Sequence, residues 1–241
     1  MLFLRSLIFQ AYFFVSVLFF AALVFVSWLF PFSVRFGLAR TWGSTMLRTG
    51  RIVCGLDYVI EGRENIPDDP SVIMIKHSTV FEAYAQLTIF PPQTWVVKRE
   101  LMWIPIFGWG LAALKPIAID RNAGHTAVSQ VIEKGCAKLA EGVWVTIFPE
   151  GTRVLPGAVR KYGISGAALA REAGCPVVPV AHNAGDLWPR RSFIKRPGLI
   201  RICIGPPIAT ADKSAKQINE AVRGWIEAKM AEISNPVKRP G

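Results

Sequence analysis

SVIMIKHSTVFEAYAQLTIF, residues 71–90, joins a short apolar run to a segment with helical spacing. The run SVIMIK is rich in β-branched residues and predicts a buried strand. The spacing of apolar residues that follows predicts a helix over residues 80–88. A strand that passes directly into a helix is typical of α/β proteins, in which ligands bind beyond the carboxyl ends of the strands.

The same alternation continues along the chain from residue 55. Further β-branched runs predict strands at DYVIEG, TWVVK, PIAID, VWVTIF, CPVVPVA and LIRICIG. Helical patterns cover residues 125–141, 164–173 and 214–233. We therefore predict an α/β domain over residues 55–234, with a central, mostly parallel sheet flanked by helices. Residues 235–241 are predicted to form a C-terminal tail.

The N-terminal segment is strongly apolar, and residues 6–34 contain no charged side chain. A helix of about 25 residues rises roughly 38 Å, which is enough to cross the hydrocarbon core of a bilayer. The run is too long for a cleaved signal peptide and lacks an A-x-A-like cleavage site. We expect residues 1–54 to form membrane-anchor helices, which either span the bilayer or lie in one leaflet.

A second anchor helix is predicted after Pro31, where residues 34–56 mix apolar and basic side chains. This pattern favours an amphipathic helix whose arginines are directed at anionic headgroups. Arg5 alone precedes the apolar run, whereas four arginines follow it: Arg35, Arg40, Arg48 and Arg51. This bias predicts that the α/β domain lies on the cytoplasmic side of the membrane.

The chain is strongly basic, with 28 Lys and Arg against 17 Asp and Glu and a formal net charge of +11. The basic residues are scattered and no nucleic-acid-binding motif is present, so we expect no nucleic acid partner. An anionic membrane surface or a phosphate-bearing substrate fits the charge better. The four cysteines have no metal-site spacing and are interpreted as small core residues in a reducing compartment, so no metal site is predicted.

His77 directly follows the first quoted strand, and Glu82 comes five residues later. Thr79 and Glu82 also match a capping box, which would explain the glutamate without any catalytic role. The capping box does not account for His77. Alternatively, the carboxylate accepts from one ring N–H and leaves the other nitrogen free as a general base. The motif alone leaves both interpretations open.

Three other stretches are candidates for a site. Lys98 ends a strand, where a lone lysine is either a surface charge or a ligand. Residues 102–109 are aromatic enough to be core, the lining of an acyl-chain site or a bilayer contact. FPEGTR, residues 148–153, predicts a tight turn in which Gly151 permits close backbone approach and Arg153 offers a fork for a phosphate. The alternative is a turn with an exposed Glu–Arg ion pair. His182 ends a strand and is interpreted as structural.

Taken in this order, these stretches resemble the glycerolipid acyltransferase family, in particular its bacterial 1-acyl-glycerol-3-phosphate (lysophosphatidic acid) acyltransferases. The family's first motif is His-x4-Asp, which His77 and Glu82 occupy with glutamate in place of aspartate. Residues 98–108 match the lysine-led second motif, FPEGTR matches the third letter for letter, and VVPVA matches the fourth. The substitution at residue 82 retains the charge and puts the identity of the acceptor in question.

The resemblance implies a reaction and a role for each motif. His77 would remove a proton from the sn-2 hydroxyl of 1-acyl-glycerol-3-phosphate as that hydroxyl attacks an acyl thioester, while Glu82 holds the imidazole. Lys98 and Arg153 would bind the acceptor's phosphate. The floor of the site would be shaped by Glu150, Gly151 and Thr152, with Glu150 touching the glycerol or fixing Arg153.

The resemblance also implies partners and a location. The acyl donor would be acyl-CoA or acyl-carrier protein, the product phosphatidic acid, and no cofactor or metal would be needed. Membrane lipids would surround the protein at the bacterial inner membrane. The alternatives are an acyltransferase for another lysolipid, such as a lyso-ornithine lipid or lysophospholipid, and a non-catalytic lipid-binding membrane protein.

Overall fold

A computed structural model of the chain describes residues 1–120 and 123–235. Within these residues one sheet has the strand order β1-β7-β6-β2-β5-β3-β4. The strands are β1 (Leu56–Glu61), β2 (Val72–Ile75), β3 (Gln93–Lys98), β4 (Ile117–Ile119), β5 (Trp144–Ile147), β6 (Val177–His182) and β7 (Gly198–Ile204). Every pair is parallel except β6–β7. The predicted mostly parallel sheet is confirmed, and each predicted run contains a strand.

The helices are α1 (Leu2–Val26), α2 (Phe32–Thr49), α3 (Phe81–Ile89), α4 (Phe107–Ala113), α5 (His125–Ala140), α6 (Ser165–Glu172), α7 (Ala184–Leu187) and α8 (Ala215–Ile233). The sequence did not predict α4 and α7, which are too short to show a helical period. The predicted tail lies outside the described residues, apart from its first residue.

The helices cover both faces of the sheet. α1 to α4 lie on one face, and α5, α6 and α8 lie on the other. In β2, Ile73 and Ile75 are buried in the first core, while Val72 and Met74 are buried in the second. This alternation follows from the two-residue period of a strand. β2 is thus a central strand, and its carboxyl end delivers residue 77 to the middle of the sheet edge.

The two N-terminal helices pack against the α/β domain and share its core. Phe9 of α1 and Met46 of α2 are fully buried in the same cluster as Ile73. Leu2–Leu29 is the one helical stretch among the described residues that is long and apolar enough to cross a membrane, and only 17% of its most apolar window is buried. A broad apolar surface of α1 therefore faces outward, which indicates membrane association.

Arg35 of α2 is buried and does not point at headgroups as predicted, and Arg40, although exposed, also binds within the protein. Nη1 of Arg35 donates to the carbonyl of Ala113 at 2.7 Å, at the end of α4. Arg40 donates to the carbonyls of Leu87 and Phe90 at 3.0 and 2.9 Å, at the end of α3. The last carbonyls of a helix lack partners within the helix and carry a partial negative charge, so a guanidinium satisfies both needs.

Candidate active site

The predicted His77–Glu82 pair forms in the structure. Nδ1 of His77 lies 2.8 Å from Oε1 of Glu82. The His77 side chain is 18% exposed, whereas that of Glu82 is only 3% exposed. Because an ionised carboxylate can only accept, Nδ1 carries the proton in this bond and Nε2 is left with a lone pair. The imidazole is therefore held in the tautomer that a general base requires.

Backbone amides position the Glu82 carboxylate. The N–H groups of Ser78 and Thr79 donate to Oε1 at 3.0 Å each, and that of Thr79 also lies 3.2 Å from Oε2. The predicted capping box is half correct: the carboxylate arm is present, but the helix begins at Phe81 after Val80, and the Thr79 hydroxyl caps nothing. Glu82 thus orients the loop and the imidazole at once.

Glu82 is ionised despite its burial. Burial raises the pKa of Glu82, but the nearby His182 and the hydrogen bond from His77 outweigh it, so the pKa lies below its ordinary value. Oε2 of Glu82 lies 3.6 Å from Nε2 of His182. A charged carboxylate beside the imidazole stabilises the imidazolium that would form during proton transfer.

His182 is a supporting residue that the sequence did not reveal as part of the site. Its Nε2 donates to the carbonyl of Lys76 at 2.8 Å, and its Nδ1 accepts from the N–H of Ala184 at 3.3 Å. Burial lowers the pKa of His182 below its ordinary value, although the nearby Glu82 carboxylate opposes this shift. It ends β6, which pairs with β2 in the sheet. The sheet thereby brings two histidines, at the ends of neighbouring strands, to opposite sides of one carboxylate.

Glu150 has a different place from the predicted one. Its buried carboxylate accepts from the backbone N–H of His77 at 3.2 Å and lies 3.3 Å from Nζ of Lys76. It therefore braces the histidine loop from behind, and Lys76 rather than Arg153 is its ionic partner. Burial raises the pKa of Glu150, partly offset by Lys76. Phe148, from the same turn, stacks on the imidazole at 4.2 Å between ring centroids.

Lys76 is a second residue whose importance the sequence did not show. It is only 3% exposed, and its Nζ lies 2.6 Å from Oε1 of Glu227 in α8. Tyr162 donates to the same oxygen at 2.8 Å. A buried lysine needs such partners, because an unpaired buried charge is strongly unfavourable. This network fixes the end of β2 to α8 and so fixes the start of the His77 loop.

Gly151 and Thr152 lie in the turn between Glu150 and Arg153, both half-buried. Gly151 has a φ of 66°, in the left-handed region, and a Cβ built there would meet no atom within 4 Å. The left-handed backbone conformation of the turn therefore favours glycine at this position.

An apolar cavity of about 320 Å³ opens beside His77. It lies between the N-terminal helices and the sheet, and α1 contributes Phe13, Val17, Phe20, Ala21 and Val24 to its wall. From residues 102–109, Phe107 lines this cavity, whereas Trp103 and Trp109 are exposed. The segment thus provides both a cavity wall and an outward apolar surface. Lys98 also lines the cavity, and its Nζ pairs with Glu100 at 3.1 Å.

A second cavity, of about 290 Å³, has basic walls. It is lined by Arg153, Arg190 and Arg191, and by Thr79. Val80 lines both cavities, so they adjoin at the start of α3. The structure therefore places His77 and Lys98 at the apolar cavity and Arg153 at the adjoining basic cavity. The two predicted phosphate ligands do not line the same cavity.

Comparisons with known proteins show the family of the chain. The family model described as Acyltransferase matches residues 57–183. The chain is similar to the 1-acyl-sn-glycerol-3-phosphate acyltransferase of Pseudomonas aeruginosa, with 41% identity over 87% of this chain and 83% of that protein. The Saccharomyces cerevisiae enzyme of the same name is 27% identical, over 70% of this chain and 57% of its own length. The chain thus spans less than two thirds of this yeast relative.

A solved structure shows the same fold. The crystal structure of the 1-acyl-sn-glycerophosphate (LPA) acyltransferase PlsC from Thermotoga maritima superposes with a TM-score of 0.79 at 23% identity. The match covers 95% of this chain and 94% of that one. It therefore includes the two N-terminal helices as well as the sheet.

Proposed function

Because the chain belongs to the acyltransferase family, we propose that it acylates the sn-2 hydroxyl of 1-acyl-glycerol-3-phosphate to give phosphatidic acid. One observation carries the proposal: a histidine held by a buried carboxylate lies at an apolar cavity, with a basic cavity adjoining it. A lysophospholipid with an apolar chain and a charged headgroup matches this pair of cavities. The name of the Pseudomonas relative agrees with this acceptor.

In the proposed reaction, Nε2 of His77 accepts the hydroxyl proton as the oxygen attacks the carbonyl carbon of an acyl thioester. The carbon–sulfur bond then breaks, and the imidazolium returns the proton to the leaving thiolate. Glu82 keeps Nδ1 protonated throughout and stabilises the imidazolium by its charge. The donor is acyl-CoA or acyl-carrier protein, and neither a metal nor a cofactor takes part.

The remaining residues position the acceptor. Arg153 binds the phosphate from the basic cavity, and Lys98 approaches it from the apolar cavity. Gly151 and Thr152 shape the turn that carries Arg153, while Glu150 holds the backbone of His77. Fixing the phosphate places the hydroxyl beside the imidazole, and this orientation lowers the barrier to attack.

We also propose a location at the cytoplasmic face of the bacterial inner membrane. The exposed apolar surface of α1 supports contact with lipid, and the net charge of +11 supports attraction to an anionic leaflet. Both cavities are lined in part by α1, so a lipid acceptor could enter from the membrane without crossing water.

Purified protein supplied with a labelled acyl donor and a panel of lysolipids tests the proposal. We expect transfer to 1-acyl-glycerol-3-phosphate and its loss in His77→Ala. Acylation of a lyso-ornithine lipid or lysophospholipid with no reaction of the phosphate monoester would replace the proposed acceptor. No transfer to any acceptor would favour a lipid-binding protein without catalysis.

A further inference from the structure

Three arginines meet in the basic cavity without a carboxylate to neutralise them. Arg153, Arg190 and Arg191 all line it, and none of them forms an ion pair within residues 1–120 and 123–235. Like charges confined to one cavity repel each other, and the repulsion is relieved when an anion binds between them. The cavity is therefore suited to a ligand of more than one negative charge.

A buried hydroxyl in the same cavity also lacks a partner. Thr79 is only 2% exposed, and its Oγ1 makes no hydrogen bond to any described residue. Burying a hydroxyl unpaired costs free energy, which a ligand oxygen can recover. Thr79 lies two residues after His77 and lines the cavity together with the arginines.

Arg190 couples the two loops that build the cavity. Its Nη1 donates to the backbone carbonyl of Arg153 at 2.9 Å. This bond ties the turn after β5 to the segment between α7 and β7. Arg191, the next residue, is exposed and makes no such bond in the described structure, so its guanidinium is available to a ligand. Arg190 therefore positions Arg153, and Arg191 adds a second guanidinium that is free to bind a ligand.

We propose that Thr79, Arg190 and Arg191 complete, with Arg153, a binding site for the phosphate monoester of the acceptor and select it over phosphodiester headgroups. This inference rests on the proposed function. A monoester presents three terminal oxygens and close to two charges, which two guanidinium forks and a hydroxyl can share. A phosphodiester has two free oxygens and one negative charge, so the second guanidinium, that of Arg191, contributes less to its binding.

Kinetics of Arg191→Gln in the full-length protein test the proposal. With lysophosphatidic acid as acceptor we expect KM to rise about tenfold, the usual effect of losing a charge-assisted hydrogen bond. KM for the acyl donor should not change, and the ratio of kcat/KM for lysophosphatidic acid over lysophosphatidylglycerol should fall. Thr79→Val, which keeps the shape of the side chain, should raise the same acceptor KM several-fold.

Arg196→Gln is the matched control, because Arg196 is exposed on the same segment and does not line the cavity. If the wild type acylates lysophosphatidic acid and Arg191→Gln behaves like Arg196→Gln, the inference is overturned while the proposed function stands. If the wild type acylates only other lysolipids, the proposed function fails, and the monoester site fails with it.

Discussion

Glu82 is both buried and charged, although burial normally disfavours the charged form of a carboxylate. Two backbone N–H groups and the ring N–H of His77 donate to its carboxylate, and the ring of His182 lies 3.6 Å from its Oε2. Glu82→Gln keeps an oxygen that can accept from those N–H groups, but it removes the charge that stabilises imidazolium. We therefore expect kcat of Glu82→Gln to fall about 10²-fold or more, with little loss of folded protein. Removing the general base itself in His77→Ala should lower kcat by about 10²- to 10⁴-fold.

Glu82→Asp tests the meaning of the longer side chain. It keeps the charge but shortens the reach to Nδ1, now 2.8 Å, so we expect its kcat to lie between those of the wild type and Glu82→Gln. Glu64→Gln, at an exposed position, is the control for a lost surface charge. Equal kcat in the Gln and Asp variants would contradict a role for the charge.

His182 should make folding stability depend on pH. Its pKa in the folded protein is lowered by burial from the ordinary value of 6.5, so below this pH the unfolded chain binds a proton that the folded protein does not. Stability is therefore full above about pH 6.5 and falls as the pH drops towards the folded pKa. In thermal unfolding at about pH 7.5 and 5.5, His182→Gln should lose less Tm than the wild type on acidification.

His125→Gln is the control for this experiment, because His125 is exposed. Its Tm should fall with pH as much as that of the wild type. An unchanged pH dependence in His182→Gln would contradict a contribution of His182 to the acid response.

The residues of the site differ in how far the sequence could predict them. His77 and Glu82 are five positions apart, and Arg153 lies in a recognisable turn, so local pattern was sufficient. His182 contacts the Lys76 carbonyl across 106 positions in sequence, and no local signal reports such a pairing. The contacts of Glu150 could not be predicted for the same reason, because its partners, Lys76 and the N–H of His77, directly follow another strand.

Among the elements, α1 and α4 make an unusually close contact. A Cβ at Gly110 would lie 2.5 Å from the carbonyl oxygen of Ala21, which is backbone and cannot rotate away. We expect Gly110→Ala to lower the free energy of unfolding by about 1–3 kcal/mol through overpacking, measured by denaturation in detergent. Acyltransferase activity should fall with it, because both helices line the apolar cavity.

Gly37→Ala in α2 is the matched control, since a Cβ there meets nothing within 4 Å. Alanine is the better helix former by about 1 kcal/mol, so this variant should be slightly more stable than the wild type. The two substitutions are chemically identical, and opposite signs would identify helix contact as the cause. A stabilised Gly110→Ala would contradict the close approach.

Element type was easier to predict than element contact. The periods of two and of about 3.6 residues are local properties, and they located every strand and the long helices. Amphipathicity placed arginines on α2 but not their targets, and Arg35 and Arg40 bind helix carbonyls that only the packed structure provides. α4 was missed because its seven residues cannot establish a period.

For the whole molecule, the central question is how α1 meets the membrane. Its first half is tied to the α/β domain, because Ser6 accepts from the N–H of Lys195 at 3.0 Å and Phe9 packs on Trp188. Its second half is tied as well, since Phe25 contacts Trp109 at 5.7 Å between ring centroids. A helix held by the domain at both ends cannot extend away from it across a bilayer.

We therefore expect α1 to lie in one leaflet, with its exposed apolar side in the lipid together with Trp28, Leu29 and Phe30, which follow the helix. In sealed vesicles, a protease-sensitive tag before Met1 and one after Gly241 should be cleaved from the same side. Replacing Trp28, Leu29 and Phe30 with serine should reduce binding to anionic vesicles in a flotation assay, whereas serine at Val59 and Leu199, which are also exposed, should not.

In the protease experiment, protection of only one of the two tags would show a spanning helix, which requires α1 to detach from Lys195 and Trp188. The contacts that close the apolar cavity would then be lost, so a spanning topology and the catalytic arrangement exclude each other.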